Sequence, residues 1–152
     1  MNEKNKDLVS NKRAAHDYEI LETFEAGIVL QGTEIKSLRD NGGGLQEAYV
    51  KVLNNELWLI GSHISPYRYG NIHNHEEKRD RKLLMHRNEI RKFRVAIQEK
   101  GLTLIPLALY LKNGRVKVKI AIAKGKKTFD KREAVKERDD KRQMQRALKQ
   151  HQ

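Results

Sequence analysis

The sequence predicts a mainly-β domain with short helices and a basic C-terminal tail that is disordered when free. Three observations carry that expectation. Residues 115–122 alternate strictly, so that Val116, Val118, Ile120 and Ile122 share one face and Arg115, Lys117 and Lys119 the other, as a half-buried strand requires. Asn113-Gly114 links this run to an earlier apolar run, 102–111, and Asn-Gly readily takes the positive φ angles of a tight hairpin turn. Residues 124–152 hold eleven Lys/Arg against five Asp/Glu, with Phe129 as their single aromatic and no Gly or Pro after Gly125. So little apolar surface does not offset the entropy of ordering.

Residues 1–14 read as a flexible arm. Residues 17–30 form a long strand whose inward phase is Tyr18, Ile20, Phe24, Ala26, Ile28 and Leu30, with Glu19, Thr23 and Glu25 outward; Glu22 breaks the phase and predicts a bulge. Gly32 precedes a short helix carrying Ile35 and Leu38 on one side and Lys36 and Arg39 on the other, and 40–44, Asp-Asn-Gly-Gly-Gly, is a flexible turn. Asn54-Asn55 turns a first hairpin between 50–53 and 56–60. In 88–100, Ile90, Phe93 and Ile97 recur at helical spacing and Gly101 closes the helix. The second hairpin joins 102–111 to 115–123, and Pro106 falls where the ladder needs no donor. Five strands with a helix between the third and fourth match the order of an OB-type antiparallel barrel over 15–123, followed by the tail over 124–152.

The charge is uneven. The chain carries 32 Lys+Arg and 20 Asp+Glu, a net of +12, yet residues 16–64 have a net of −5 while 65–123 have +9 and the tail +6. One basic face and one that avoids phosphate are implied, which points to a polyanion such as RNA. The absence of cysteine excludes disulfides, thiolate nucleophiles and Cys-ligated zinc. No apolar run is long enough to span a membrane, and residues 1–6 lack the hydrophobic stretch of a signal peptide, so a cytoplasmic protein is expected.

Enzyme signatures are weak. His63, His73, His75 and His86 lack the acidic or second-pair spacing of a metal site, and 66–78 reads as a solvated loop. Asp17, Glu19, Glu22 and Glu25 are either a solvated strand face or, as the competing enzyme class, the carboxylates of a metal-dependent nuclease. Glycines 42–44 lack the Gly-Lys-Ser/Thr that completes a phosphate loop. Tyr67-Arg68-Tyr69 is either a base-stacking element or a mobile loop. Lys78, Arg79, Arg81 and Lys82 are either a solvated run or, aimed by the apolar shoulder Leu83-Leu84-Met85, phosphate contacts.

Four blocks are more specific. They are Asn11-Lys-Arg-Ala-Ala-His-Asp-Tyr, Phe24-Glu-Ala-Gly-Ile-Val-Leu-Gln-Gly-Thr-Glu-Ile-Lys-Ser-Leu-Arg, Arg81-Lys-Leu-Leu-Met-His-Arg-Asn-Glu-Ile, and Val116-Lys-Val-Lys-Ile-Ala-Ile-Ala-Lys-Gly-Lys-Lys-Thr-Phe-Asp-Lys-Arg. Together, and in this order, they closely resemble the SmpB family of SsrA-binding proteins over residues 11–149. The resemblance implies an OB-type barrel, without enzymatic chemistry, cofactor or metal, that binds the tRNA-like domain of transfer-messenger RNA. It also implies delivery of that RNA to stalled ribosomes, with the tail entering the empty mRNA channel and the small-subunit decoding centre. Alanyl-tRNA synthetase and elongation factor Tu are implied as partners through the RNA complex, and no membrane.

By the same resemblance Glu25, Leu84 and Lys117 belong to the RNA-binding face, where a carboxylate accepts hydrogen bonds from base amino or imino groups or a 2′-OH. Lys12, Arg13, His16, Arg81, Lys82, Arg115 and Lys119 complete the expected RNA contacts. Lys124, Gly125, Lys126, Lys127, Phe129, Lys131, Arg132, Arg138, Arg142 and Arg146 form the expected ribosome-binding tail, with Gly125 as its flexible junction. Many relatives carry His where this chain has Phe129, a change that keeps stacking and removes proton transfer. Residues 133–150 lack a helix breaker, but Arg138, Arg142 and Arg146 repel one another at four-residue spacing. The tail is therefore expected to become helical when RNA phosphates neutralise that row, the alternative being a solvated charge tail.

Overall fold

A computed structural model describes residues 5–70 and 74–126. The expected tail residues Lys127, Phe129, Lys131, Arg132, Arg138, Arg142 and Arg146 lie outside these, as does His73.

The architecture grows from the second hairpin. β8 (Thr103–Lys112) and β9 (Arg115–Gly125) pair antiparallel about Asn113 and Gly114, both at positive φ (53° and 79°) as a tight twisted turn demands. β9 then pairs with β2 (Tyr18–Ile28), so it is hydrogen-bonded on both sides. To β2 are added β7 (Arg81–Leu84), β5 (Glu56–Ile60) and β4 (Tyr49–Leu53), with Asn54 and Asn55 at φ 53° and 62° turning β4 into β5. β1 (Asn5–Ser10) closes the other edge on β8, giving the order β1-β8-β9-β2-β7-β5-β4. Two short strands, β3 (Gly43–Gly44) and β6 (His63–Ile64), make a separate pair. The mainly antiparallel class with few short helices is as expected. The barrel is not closed, because no ladder among the described residues joins β4 back to β1.

The core lies on one face of the sheet. Val116, Val118, Ile120 and Ile122 meet Leu104, Leu109 and Leu111 of β8, Ala26 of β2, Leu57 and Leu59 of β5 and Leu83 of β7. α3 (Arg87–Lys100) lays Ile90, Phe93 and Ala96 over them, and its C-terminal Gly101 takes φ 64°, the left-handed cap read from the sequence. Phe93 meets Phe24 edge to face at 4.8 Å. A second, smaller cluster on the opposite face joins Ala14, Ile105, Ala121 and Ala123 with Tyr18, Ile20 and Leu107.

This second cluster corrects the phase expected for β2. The ladder slips between Ile20 and Glu22, so Leu21 is an extra residue, and Tyr18 and Ile20 face the small cluster instead of the core shared by Phe24 and Ala26. Glu22 lands at the rim of the core face, where Lys92 of α3 meets it at 2.9 Å. Pro106 does sit at a ladder irregularity, with Asn11 donating to the carbonyls of Pro106 and Leu107.

Three further expectations change. The arm over 1–14 is, from Asn5 on, strand β1 followed after Arg13 by α1 (Ala14–Asp17); its ladder to β8 supplies the hydrogen bonds that its polar composition hides. Gly125 is not a flexible junction, since it pairs with Tyr18 at the end of β9 and Lys126 donates its N–H to the Asp17 carbonyl at 3.1 Å. The triple glycine is not a flexible turn throughout: Gly43 and Gly44 form β3, and a Cβ on Gly43 would overlap Leu38 and Val9.

Arg81 is the largest correction. Its side chain is fully buried and spends its donors inside the protein: Nε on Glu34 at 2.6 Å, Nη1 on the Ser62 hydroxyl at 2.9 Å and carbonyl at 3.1 Å, and Nη2 on the Glu77 carbonyl at 3.1 Å. It therefore does not reach RNA. Glu34, buried in α2 (Gly32–Arg39), also takes the Arg79 guanidinium at 2.5 Å and the Gln31 N–H at 2.8 Å. Burial pushes the Glu34 carboxyl up, but the bonds from Arg79 and Gln31 and the charge of Arg81 outweigh it and hold it below its ordinary value of 4.5. In the described part of the loop 66–78, His75 is likewise anchored, buried between the Thr33 hydroxyl and the Ile64 carbonyl, both at 2.8 Å.

Glu34→Gln removes the counter-charge and strands a buried guanidinium, so it is expected to cost about 3–5 kcal/mol of stability. A depressed carboxyl contributes stability above its unfolded pKa that is lost as pH falls through the folded one. Urea unfolding at about pH 6 and about pH 3 should therefore show a smaller acid loss in Glu34→Gln than in the parent. Equal losses in the two proteins would contradict this role for Glu34.

Candidate nucleic-acid interface

The sheet face opposite the core, beyond the small cluster, is open. Register builds a row across it: Tyr110 of β8 is opposite Lys117 of β9, Lys117 opposite Gly27 of β2, and Gly27 opposite Leu84 of β7. The neighbouring row sets Glu25 opposite Lys119. Glu25, Lys117, Lys119 and Leu84 are thus brought onto one surface, and Gly27, between Lys117 and Leu84, has the Leu84 side chain against it. Leu84 is 53% exposed, an apolar side chain held in solvent by a strand whose alternate residue, Leu83, is in the core.

Glu25 is fixed in place. The Tyr110 hydroxyl donates to Glu25 Oε2 at 2.7 Å and Lys112 Nζ reaches the same oxygen at 3.2 Å. The Tyr110 bond, opposed by partial desolvation and assisted by Lys112 and the charge of Lys117, holds the Glu25 carboxyl below 4.5. Burial and the adjacent carboxylate in turn push the Tyr110 hydroxyl up, so it stays a donor. The result is an ionised acceptor beside a hollow of about 520 Å³ lined by Thr23, Leu107, Tyr110 and Lys119. Such an arrangement can accept hydrogen bonds from base N–H or ribose 2′-OH groups, with the lysines on the same face suited to phosphate.

Lys82 lies two residues from Leu84 on the same strand face, opposite Trp58, and pairs with Glu56 at 2.7 Å. Arg115 is exposed at the hairpin end opposite Lys112. Lys12, Arg13 and His16 form a different group, exposed at the α1 turn, with His16 on Asp17 at 2.8 Å. Lys124, opposite Glu19, and Lys126, whose Nζ meets the Ala15 carbonyl at 2.9 Å, join them. Six residues of β2 separate Glu19 from Glu25, so the two basic groups stand about 20 Å apart along the strand.

Tyr110 and Lys112 are the site residues that sequence reading missed. The signal was present: a two-residue turn at Asn113-Gly114 fixes Lys112 opposite Arg115 and Tyr110 opposite Lys117. The histidines go to separate partners, with His63 on Glu77 at 2.6 Å and His75 on Thr33. No group of three or more His, Cys, Asp or Glu among the described residues is placed to hold a metal ion. No described helix is long and apolar enough to cross a membrane.

Comparison with known proteins converges on one family. The family model described as SmpB protein matches residues 8–150. The chain is 77% identical to the SsrA-binding protein of Protochlamydia amoebophila, covering 100% of this chain and 99% of that one. It is 55% identical to the SsrA-binding protein of Chlamydia muridarum, covering 95% of each. A solved chain described as "tmRNA-SmpB: a journey to the center of the bacterial ribosome" matches with a TM-score of 0.67 at 43% identity, covering 91% of this chain and 94% of that one. The chain belongs to the SmpB family.

Proposed function

We propose that this protein is a non-enzymatic RNA-binding protein. It binds the tRNA-like domain of transfer-messenger RNA and delivers it to stalled ribosomes, where incomplete proteins are tagged and the ribosome is released. The observation that carries this reading is the open sheet face on which Glu25, ionised and oriented by Tyr110 and Lys112, stands with Lys117, Lys119 and Leu84. Relatives named as SsrA-binding proteins and a solved relative named with transfer-messenger RNA and the ribosome support it.

Lys117, Lys119 and Arg115 meet the phosphate backbone, Glu25 reads base or ribose donors, and Leu84 packs against the RNA. Lys12, Arg13 and His16 add a second basic group about 20 Å away along β2, and Lys124 and Lys126, at the end of β9, begin the ribosome-binding tail. Residues 127–152 enter the vacant mRNA channel and the decoding centre; as a helix, the 18 residues 133–150 reach ~27 Å. Alanyl-tRNA synthetase and elongation factor Tu join through the bound RNA, and the protein works in the cytoplasm.

The deciding experiment compares binding of the tRNA-like domain with binding of bulk tRNA. A hydrogen bond to a charged group contributes ~1.5–3 kcal/mol, so Glu25→Gln should cut the preference for the cognate RNA about 10- to 100-fold. Lys117→Ala should weaken both RNAs and lower the slope of log affinity against log salt by about 0.7–0.9. Unchanged preference in Glu25→Gln makes Glu25 an ordinary surface acid.

The bond from Tyr110 depresses the Glu25 pKa, so Tyr110→Phe should raise that pKa toward 4.5, read by carboxyl NMR titration. An unmoved titration would mean that Tyr110 does not set the ionisation of Glu25.

A chain ending at Ala134 should bind the tRNA-like domain nearly as the parent does and fail to support tagging on stalled ribosomes. Normal tagging by this truncated chain overturns the tail assignment.

A further inference from the structure

We propose that Tyr67, Arg68 and Tyr69, held against Lys36 of α2, form a separate stacking site for an unpaired RNA base, distinct from the Glu25 face. The inference rests on the RNA-binding reading above. The two tyrosine rings meet edge to face, their centroids 5.5 Å apart at 71°. The Arg68 guanidinium lies 5.1 Å from the Tyr69 ring centre, and Lys36 Nζ lies 5.7 Å from that of Tyr67. Tyr69 is nonetheless 73% exposed, more than any other large apolar side chain described. With Arg68 over one face and Tyr67 in edge-to-face contact, the Tyr69 ring keeps most of its surface open to solvent.

The segment is braced rather than loose. The Asn74 side chain brackets Tyr67, accepting its N–H at 3.2 Å and donating to its carbonyl at 2.8 Å, and the same carbonyl takes the Gly70 N–H at 2.8 Å. Asn74 is followed by His75, buried between Thr33 and the Ile64 carbonyl. A ring presented on a fixed bracket loses little conformational freedom on binding. Every base offers a π face to such a platform, whereas a paired base in a helix does not. The charge favours RNA as occupant: Lys36 and Arg68 lie over the two rings, and of the two only Arg68 has a described counter-charge, Asp40 at 3.3 Å.

The test uses the full chain, a single-stranded oligoadenylate of about ten nucleotides, within the roughly 4–16 nucleotide site size of one small single-strand-binding fold, and an RNA duplex of equal length. Tyr69→Ala should weaken the single strand about tenfold, as loss of one stacked base predicts, leave the duplex unchanged, and keep both the salt slope and the unfolding midpoint of the parent. Tyr69→Phe, which keeps the ring, should restore parental binding. Parental single-strand affinity in both Tyr69→Ala and Tyr67→Ala overturns the stacking site while leaving the Glu25 reading to its own test. Tyr69-dependent self-association without RNA overturns it too, assigning this face to a second copy of the chain. A parent that fails to bind the single strand overturns the stacking site alone, because the Glu25 reading is tested with the tRNA-like domain.

Discussion

The alternation of β9 is the constraint on which the rest of the molecule depends. Ladders on both its edges leave β9 no freedom of register, so a slip by one residue would exchange Val116, Val118, Ile120 and Ile122 for the lysines between them. Burying those lysines without partners is prohibitively unfavourable, and the register is therefore fixed by the core. The same fixed register is what holds Lys117 and Lys119 outward, sets Tyr110 opposite Lys117 and brings Glu25 opposite Lys119. Stability and the proposed binding surface are two faces of one strand, and the polar face is not an independent addition to the fold.

A second tie holds the far side. Glu34, Arg79 and Arg81 connect α2 to β7, and the additional bonds of Arg81 reach Ser62 and the backbone of Glu77. β7 carries both Arg81, pointing inward, and Leu84, pointing outward, so the buried ion cluster also positions one residue of the proposed interface. Buried ion pairs of this kind add little net stability over apolar packing, but they penalise alternatives in which either charge is left alone. Positioning is the role this cluster can fill.

What the sequence made legible was whatever rests on local chemistry. Asn54-Asn55, Asn113-Gly114 and Gly101 revealed both hairpins and the end of α3, because positive φ is tolerated by few residue types. The bulge near Glu22 followed from a broken phase, although its consequence, that Tyr18 and Ile20 serve a second cluster on the opposite face, did not. β1, β3, β6 and β7 were invisible because they are short, polar or glycine-rich and owe their form to partners distant in sequence. Arg81 was misread for the same reason: a cation among Lys78, Arg79 and Lys82 looks solvated until Glu34, 47 residues earlier, is brought beside it. Glu25 and Lys117 were readable as outward residues, and only the fold supplied the Tyr110 and Lys112 contacts that orient the carboxylate.

The central claim is that one sheet face, formed by β2, β7, β8 and β9, reads the tRNA-like domain of transfer-messenger RNA. The most direct measurement is an NMR titration of isotope-labelled protein with that domain and, separately, with unrelated tRNA. The account predicts that the cognate RNA shifts and broadens the signals of Glu25, Leu84, Tyr110, Lys117 and Lys119 together, while Arg81, enclosed by the protein, keeps its guanidinium signal. Perturbations confined to other surfaces, or the same pattern with unrelated tRNA at equal affinity, would contradict it.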